Sequence, residues 1–559
     1  MDDTTFDVTE YGGADATVAT EAFQTAIDAC GAAGGGTVRV PAGTYETGTV
    51  RLRDDVTLHL EAGATVAATE DESEYSAERV GPDGERVFLL AEEVENVALT
   101  GRGTFDGRGT AFMRMDTPIQ GHSGESSAHP LITSGSHEAR QGEDYLDRED
   151  GTDDWPVAKP DFRPGPMFEF DGCENVLVEN VTMRDMPSWT IHVDRSTDVD
   201  VRGIDILGDK RIPNNDGIAV TDSRNVHISD CTLVTCDDSI CMNGTAESDR
   251  PCENVTVTNC TIESNACAIK FGSQTAGVMR NFTFENCIIQ HSNRGLGIQH
   301  RDGGTLENVL FSNIVIETRL LSGPWWGKAE PIYVTSVPRD EETELGTVRN
   351  VRFSNVLATA ENGALVYGSE EATIENLSFD DVRLEIRGGE KAPLTGGNFD
   401  LQPTAAETPI VERDISGVHC EGVADLDLED VTVEWGESLP EYFSHGIRCI
   451  DVDGLEIDGF DGRQAHLGSS DAAIALCETE TVSIRDCRAR PGTGRFLGLE
   501  GGDDRRLFVD NDLADAETVG IDGVDDGSGS GSESESVTKS GSGSESESGF
   551  VVSGNVLPL

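Results

Sequence analysis

A single recurring phrase constrains this chain more than anything else in it. Copies of (Glu/Arg)-Asn-Val-x-apolar-x-(Asn/Asp)-x-x-apolar, in varied form, open at Glu95, Glu174, Thr197, Arg224, Glu253, Arg280, Glu307, Arg349, Glu375, Ala424, Asp453, Glu480 and Arg505. Uninterrupted copies lie 23 to 29 residues apart. A period in that range marks a solenoid, in which each turn buries its apolar side only against its neighbours. Apolar residues alternate within the phrase, so each copy is read as strand. Asparagine recurs one residue in (Asn175, Asn225, Asn254, Asn281, Asn308, Asn350, Asn376), and Asn or Asp recurs six residues in (Asn180, Asp230, Asn259, Asn286, Asn313, Asn355, Asp381). Stacked asparagines would satisfy turn amides between layers about 4.8 Å apart. A leucine-rich horseshoe needs a helix in each repeat, and these turns carry none. The fold expected is all-β: a right-handed parallel β-helix, its hand taken from the crossover rule.

Ahead of the repeat, Thr20–Ala32 places Phe23, Ile27 and Cys30 on one helical face and ends among glycines. One amphipathic helix before a strand-rich chain suits a cap over an open sheet edge. Three insertions interrupt the period, at about 109–166, 320–347 and 386–418. The Gly/Ser/Glu run at about 525–549 is expected to be disordered, with one last strand after it. All of 1–559 is read as one solenoid domain.

The formal net charge is −63, interleaved with regular apolar residues rather than blocked, which points to a folded, acid-covered surface of the kind suited to molar salt. Nucleic acid and anionic membranes are poor partners for it. No export signal and no membrane-length apolar stretch is visible, so a cytoplasmic location is expected. Cys231, Cys260, Cys287 and Cys487 fall at one fixed offset in the repeat, as stacked buried thiols would. No Cys/His ligand spacing supports a metal, and no cofactor motif is evident.

Chemistry concentrates in Asn214–Met242, where Asp216, Asp237 and Asp238 each precede a short apolar run. Aligning SWTIHV, NDGIAV, DDSICM, ACAIKF and GLGIQH puts Trp189, Asp216, Asp238, Cys267 and Leu296 in one column on adjacent layers. Stacked like charges are unfavourable in a fold and are typical of catalysis. An acid facing a base-activated water is the inverting glycosidase arrangement, with carboxyls roughly 6.5–9.5 Å apart. One carboxyl must stay protonated near neutrality, and anionic neighbours favour that.

These motifs resemble glycoside hydrolase family 28, the polygalacturonase family of pectin-degrading β-helices. The resemblance runs through AFQTAIDACGAAGGGTVRVPAGTY, GRGTFDG, PSWTIH, NNDGI and CDDSI. It implies Asp237 as general acid, with Asp216 and Asp238 activating the water. Asn214-Asn215-Asp216-Gly217 stands where the family has Asn-Thr-Asp-Gly, and Pro187–His192 is similar to exo-acting members. Two departures accompany it. Ala266-Cys267-Ala268 replaces the family's Gly-His-Gly, and Gly297-Ile298-Gln299 replaces the Arg-Ile-Lys that binds the galacturonate carboxylate.

Candidate substrate-binding residues are Asn214, Trp189, His192, Lys270, Gln299, Arg294, His300, Arg301, Trp325, Trp326 and Lys328. Lys270 shares a column with Gln299 and is expected to meet a substrate anion. Trp189 and His192 suit ring stacking and hydrogen bonding to a sugar. The reading is an inverting, exo-acting hydrolase of galacturonate-containing pectic oligosaccharides. Alternatives are a rhamnogalacturonan or other pectic side-chain hydrolase, and a non-catalytic carbohydrate-binding β-helix.

Overall fold

The computed structural model describes residues 4–13, 17–76, 86–118, 155–158, 160, 162–321, 327–369, 374–401, 410–412, 414–502, 506–520 and 550–557. Each copy of the repeat supplies short strands that pair in parallel with the equivalent strands one turn away. This is the right-handed parallel β-helix that the periodicity predicts. The chain falls into two compact units, Met1–Asn293 with Leu321–Trp326 and Arg294–Leu320 with Gly327–Leu559.

In the first unit, helix α1 (Thr20–Ala32) buries Ala22, Phe23, Ala26, Ile27 and Cys30 against the first strands, as its periodicity requires. Five strands then form the face that carries the chemistry. They are β1 (Phe168–Asp171), β2 (Ile191–Asp194), β3 (Ile218–Thr221), β4 (Ile240–Gly244) and β5 (Cys267–Thr275). Their register aligns Phe168, Ile191, Ile218, Ile240 and Ile269, all buried. Inside, Phe271 meets Phe282 and Phe284 edge-on, at 4.8 and 5.6 Å between centroids. In the second unit, Phe311, Phe353 and Phe379 stack at 5.0 and 5.2 Å.

The repeated asparagines do two jobs at once. Asn225, Asn254 and Asn281 have φ of +54°, +58° and +64°, the left-handed region that Asn tolerates better than other side chains. They also stack: Asn254 Nδ2 donates to Asn225 Oδ1 at 3.2 Å, and Asn281 Nδ2 donates to Asn254 Oδ1 at 3.1 Å. The second column behaves likewise, Asn259 Nδ2 donating to Asp230 Oδ1 at 3.2 Å. Cys231, Cys260 and Cys287 lie in register as free, buried thiols.

Within the first insertion, Arg114–Pro118 pairs antiparallel with Val157–Ala158, and Met113 and Val157 pack on Ile212. The third insertion holds a short helix (Ala392–Thr395) and an antiparallel pair, Asn398–Asp400 with Ile410–Glu412. The run expected to be disordered lies outside the described residues. After it Phe550–Ser553 pairs with Arg506–Val509, the last strand anticipated. Among the described residues no helix is long and apolar enough to cross a membrane.

Because Asn254 serves both conformation and ladder, its substitutions separate the two. Asn254→Ala is expected to lower unfolding stability by about 1–2 kcal/mol, from a strained backbone and a lost hydrogen bond. Asn254→Gly should recover the backbone share, and denaturant midpoints for the pair measure each contribution.

Candidate active site

The ladder itself builds the column anticipated above. Trp189, Asp216, Asp238 and Cys267 each precede a registered isoleucine by two residues. Backbone bonds lock the column: Thr190 N–H to Asp216 O at 2.8 Å, Gly217 N–H to Asp238 O at 3.0 Å, Ser239 N–H to Cys267 O at 3.0 Å. Gly217 is required by this approach, because a Cβ there would fall 2.2 Å from Ser239 O. Asp237 occupies the corner before Asp238. Its carbonyl accepts from Thr235 Oγ1 at 2.6 Å and Ser264 Oγ at 2.8 Å. Asn215 Oδ1 accepts the Cys236 N–H at 2.6 Å, tying the two aspartate layers together.

The three carboxylates present oxygens that all lie within 4.8 Å of one another. That is closer than the 6.5–9.5 Å expected from the usual inverting spacing, because one layer separation and one corner are all that divide them. Lys270 partly compensates the repulsion: its Nζ lies 2.6 Å from Asp238 Oδ2, and both residues are buried. Lys270, expected to meet a substrate anion, also pairs with the chain's own acid. Burial works against its charge, but Asp238 more than restores it and holds the ammonium protonated.

Burial, then the charge of Asp238, raises Asp237 to about 6, against opposing contributions from Lys270, the Asp238 N–H and Asn214. Asp216 is pushed well above its ordinary value by burial and by the charges of Asp237 and Asp238. Its buried Oδ1 has no hydrogen-bond partner among the described residues. Asp216 and Asp237 therefore both hold protons more tightly than ordinary carboxyls, while Asp238 is ion-paired to Lys270. A divalent cation would have to compete with Lys270 for the trio. A second acidic group, Glu169, Asp171 and Asp194, has comparable spacing, but Arg195 and His192 already hold its charge.

Trp189 is half-buried and meets His192 edge-on at 5.4 Å. His192 Nδ1 lies 3.0 Å from Glu169 Oε2 and Nε2 lies 3.0 Å from Thr221 Oγ1. Burial disfavours the imidazolium, while the Glu169 charge and hydrogen bond outweigh that and raise its pKa. Asn214, at φ +58°, donates Nδ2 to Asp237 Oδ2 at 3.3 Å.

Sequence reasoning missed Arg163. Its Nη1 donates to Pro187 O and Pro213 O, each at 2.6 Å, and its Nη2 donates to Asn214 Oδ1 at 3.3 Å. A guanidinium only donates, so this grip fixes the Asn214 amide with its N–H side toward Asp237. Arg163 lies in an insertion without period, which left no signal. Glu169 was missed too; an acid at an outward position of the apolar strand FEFD was the available clue.

The remaining candidates lie in the second unit. In β6 (Arg294–His300), Arg294 is buried, lies 3.5 Å over the Tyr333 ring, and pairs with Glu330 at 3.4 Å. Lys328 is buried beside it, its backbone N–H donating to Glu330 Oε2 at 2.7 Å. Gln299 is buried and registers with Thr335 of β7 (Ile332–Ser336). His300 engages both ring nitrogens within the fold, at Ser336 Oγ and Gly304 O, each 3.0 Å away. Arg301 is buried, which brings its pKa down to about 10 with help from the Arg339 charge. Trp325 and Trp326 lie outside the described residues.

Fold and carboxylates together define a parallel β-helix bearing an acidic trio. Residues 141–399 match the family described as Glycosyl hydrolases family 28. It is 26% identical over 238 residues to a probable polygalacturonase of Vitis vinifera, covering 40% of each chain. It is 25% identical over 301 residues to an exo-poly-alpha-D-galacturonosidase of Dickeya chrysanthemi, covering 49% of this chain and 48% of that one. The chain thus spans less than half the length of these curated relatives. Among solved structures, a Thermotoga maritima exopolygalacturonase superposes with TM-score 0.55 at 22% identity, over 78% of this chain and 92% of that one. A family 28 exopolygalacturonase of Yersinia enterocolitica gives 0.55 at 20% identity, over 82% and 78%.

Two substitutions probe this electrostatics. Asp216→Asn removes one of three crowded charges and is expected to raise the unfolding midpoint at pH 7. A carboxyl with a raised folded pKa costs stability only above its unfolded pKa, so the gain should vanish below about pH 4, where Asp216 is protonated in the folded and unfolded chain alike. Arg163→Met releases the Asn214 amide, whose carbonyl can then turn to accept from protonated Asp237. Facing Asp216, Asp238 and Lys270 as before, Asp237 should hold its proton to higher pH. In the activity proposed below, that moves the alkaline limb of the pH–rate profile upward, and Asn214→Ala should move it the same way.

Proposed function

We propose that the chain is a glycoside hydrolase of polygalacturonase type, exo-acting and inverting, on galacturonate-containing pectic oligosaccharides. The carrying observation is three carboxylates within 4.8 Å, one titrating near 6 and one neutralised by a buried lysine. The match of residues 141–399 to the family model supports it, as do relatives named for galacturonide cleavage.

Asp237 protonates the glycosidic oxygen as the C–O bond breaks. Water adds to the anomeric carbon from the opposite face, and Asp216 with Asp238 takes its proton. The 4.8 Å span lets one water bridge two carboxylates at ordinary hydrogen-bond lengths. Lys270 Nζ, 2.6 Å from Asp238 Oδ2, places a positive charge beside that carboxylate. Because the acid must carry a proton, turnover falls as pH rises through about 6. The proposal extends to one solenoid domain working in the cytoplasm on imported fragments, away from nucleic acid and membranes. An acid-rich surface supports that last part.

A side-chain or rhamnogalacturonan hydrolase is favoured by one observation, Gln299 standing buried where the family's carboxylate-binding lysine would be. The tests are direct. On defined oligogalacturonides and rhamnogalacturonan fragments in high salt, monosaccharide release from one of the two is expected, with Asp237→Asn reducing it by about 10²–10⁴-fold. Inversion releases the β-anomer from an α-linkage. Retained activity in Asp237→Asn sinks the acid assignment, and a 4,5-unsaturated product absorbing in the ultraviolet would reveal a lyase instead.

A further inference from the structure

Beside the carboxylate column, on the side of Trp189, the first unit encloses a cavity of about 300 Å³. Its lining includes Trp189 and His192 and the segment carrying Thr245, Glu247 and Ser248. Trp189 adjoins Asp216 in the column, through the Thr190 N–H to Asp216 O bond of 2.8 Å. A ring lying against Trp189 is thus one strand from the reacting bond. The volume lies at the lower end of ordinary ligand sites.

The charges around this cavity decide what it accepts. Asp194, Asp222 and Glu247 line it, against one guanidinium, Arg195. Arg195 is already shared: Nε lies 3.3 Å from Asp194 Oδ2, and Nη2 bonds Asp171 Oδ1. Any positive charge on His192 is matched by Glu169 at 3.0 Å. Asp222 accepts from the Thr245 N–H at 3.0 Å and stays fixed in the wall. A sugar carboxylate placed here would lose water and face three like charges with no uncommitted cation. Sugar hydroxyls, by contrast, donate well to carboxylates, and an indole offers an apolar surface to a ring.

We infer that this cavity is a binding subsite for an uncharged sugar residue and that it excludes uronates. The inference deepens the hydrolase reading and rests on it for the sugar's origin, namely a neutral residue of a mixed pectic oligosaccharide flanking the bond cleaved.

D-galactose and D-galacturonate make the test, since they differ only in bearing a hydroxymethyl group or a carboxylate at C6. Binding of each to the full chain is measured by calorimetry or saturation-transfer NMR at one fixed salt concentration. Galactose is expected to bind at least ten-fold more tightly. Trp189→Ala should abolish its binding, and exposed Glu247→Gln should narrow the gap by raising galacturonate affinity about three-fold. Equal or tighter binding of galacturonate overturns the proposal. So does failure of galactose to bind, galactose binding that survives Trp189→Ala, or tighter binding of D-galactosamine, which would mark a site for cations. Asp237→Asn run in parallel should keep the galactose preference while losing hydrolysis. A chain that binds with this preference but turns over no oligosaccharide would refute the hydrolase reading alone.

Discussion

Parallel in-register stacking is the constraint on which everything else here depends. It converts a sequence offset into a spatial neighbour about 4.8 Å away, for every side chain at once. The same rule that stacks Ile191, Ile218, Ile240 and Ile269 inside the coil stacks Asp216 on Asp238 outside it. A solenoid cannot stagger the aspartates without staggering its core. The site is consequently preorganised by hydrophobic register, and the repulsion among its acids must be met locally. Lys270 against Asp238 and the tighter proton binding of Asp216 and Asp237 are that local answer.

The outer faces follow the same logic with opposite charges. Arg184 reaches Asp106, Arg280 reaches Glu253, Arg349 reaches Glu307 and Arg485 reaches Asp458, each pair joining neighbouring turns. A planar guanidinium can fork between carboxylates on successive layers, which an ammonium does less well. That gives a physical reason for a chain with 41 basic residues to hold so few lysines. Exposed pairs of this kind each contribute little, so their effect is to offset acid–acid repulsion rather than to drive folding.

The parts of this structure written in the period were legible from residues alone: the coil, the cap helix, the thiol column and the aspartate column. The asparagine ladder was legible as a hydrogen-bonding device but not as a backbone device, since the positive φ at Asn254 has no signature beyond residue type. Arg163 was illegible because its insertion has no register, and its partners are mostly carbonyls that any sequence supplies. Lys270 was placed in the correct column, but its ion pair with Asp238 was not foreseen. A long side chain reaches diagonally to the next layer, where Asp238 stands, and column alignment does not encode that reach.

That diagonal bears on the two departures from the family pattern. Where family members carry a histidine in the turn after the aspartates, Cys267 is buried here, its thiol donating to Ile269 O at 3.2 Å, too apolar to assist an acid. Three residues further on, Lys270 supplies a fixed positive charge to Asp238. A histidine's charge depends on pH near neutrality, whereas a lysine buried against a carboxylate keeps its charge throughout. Ala219 and Cys241, the residues between His192 and Lys270 in their column, are small and leave the strand face low beneath the acids. The substitution therefore keeps electrostatic control of Asp238 while moving it from a titrating group to a permanent one. Asp216 and Asp237, both raised by burial and neighbouring charge, then carry pH response at the site.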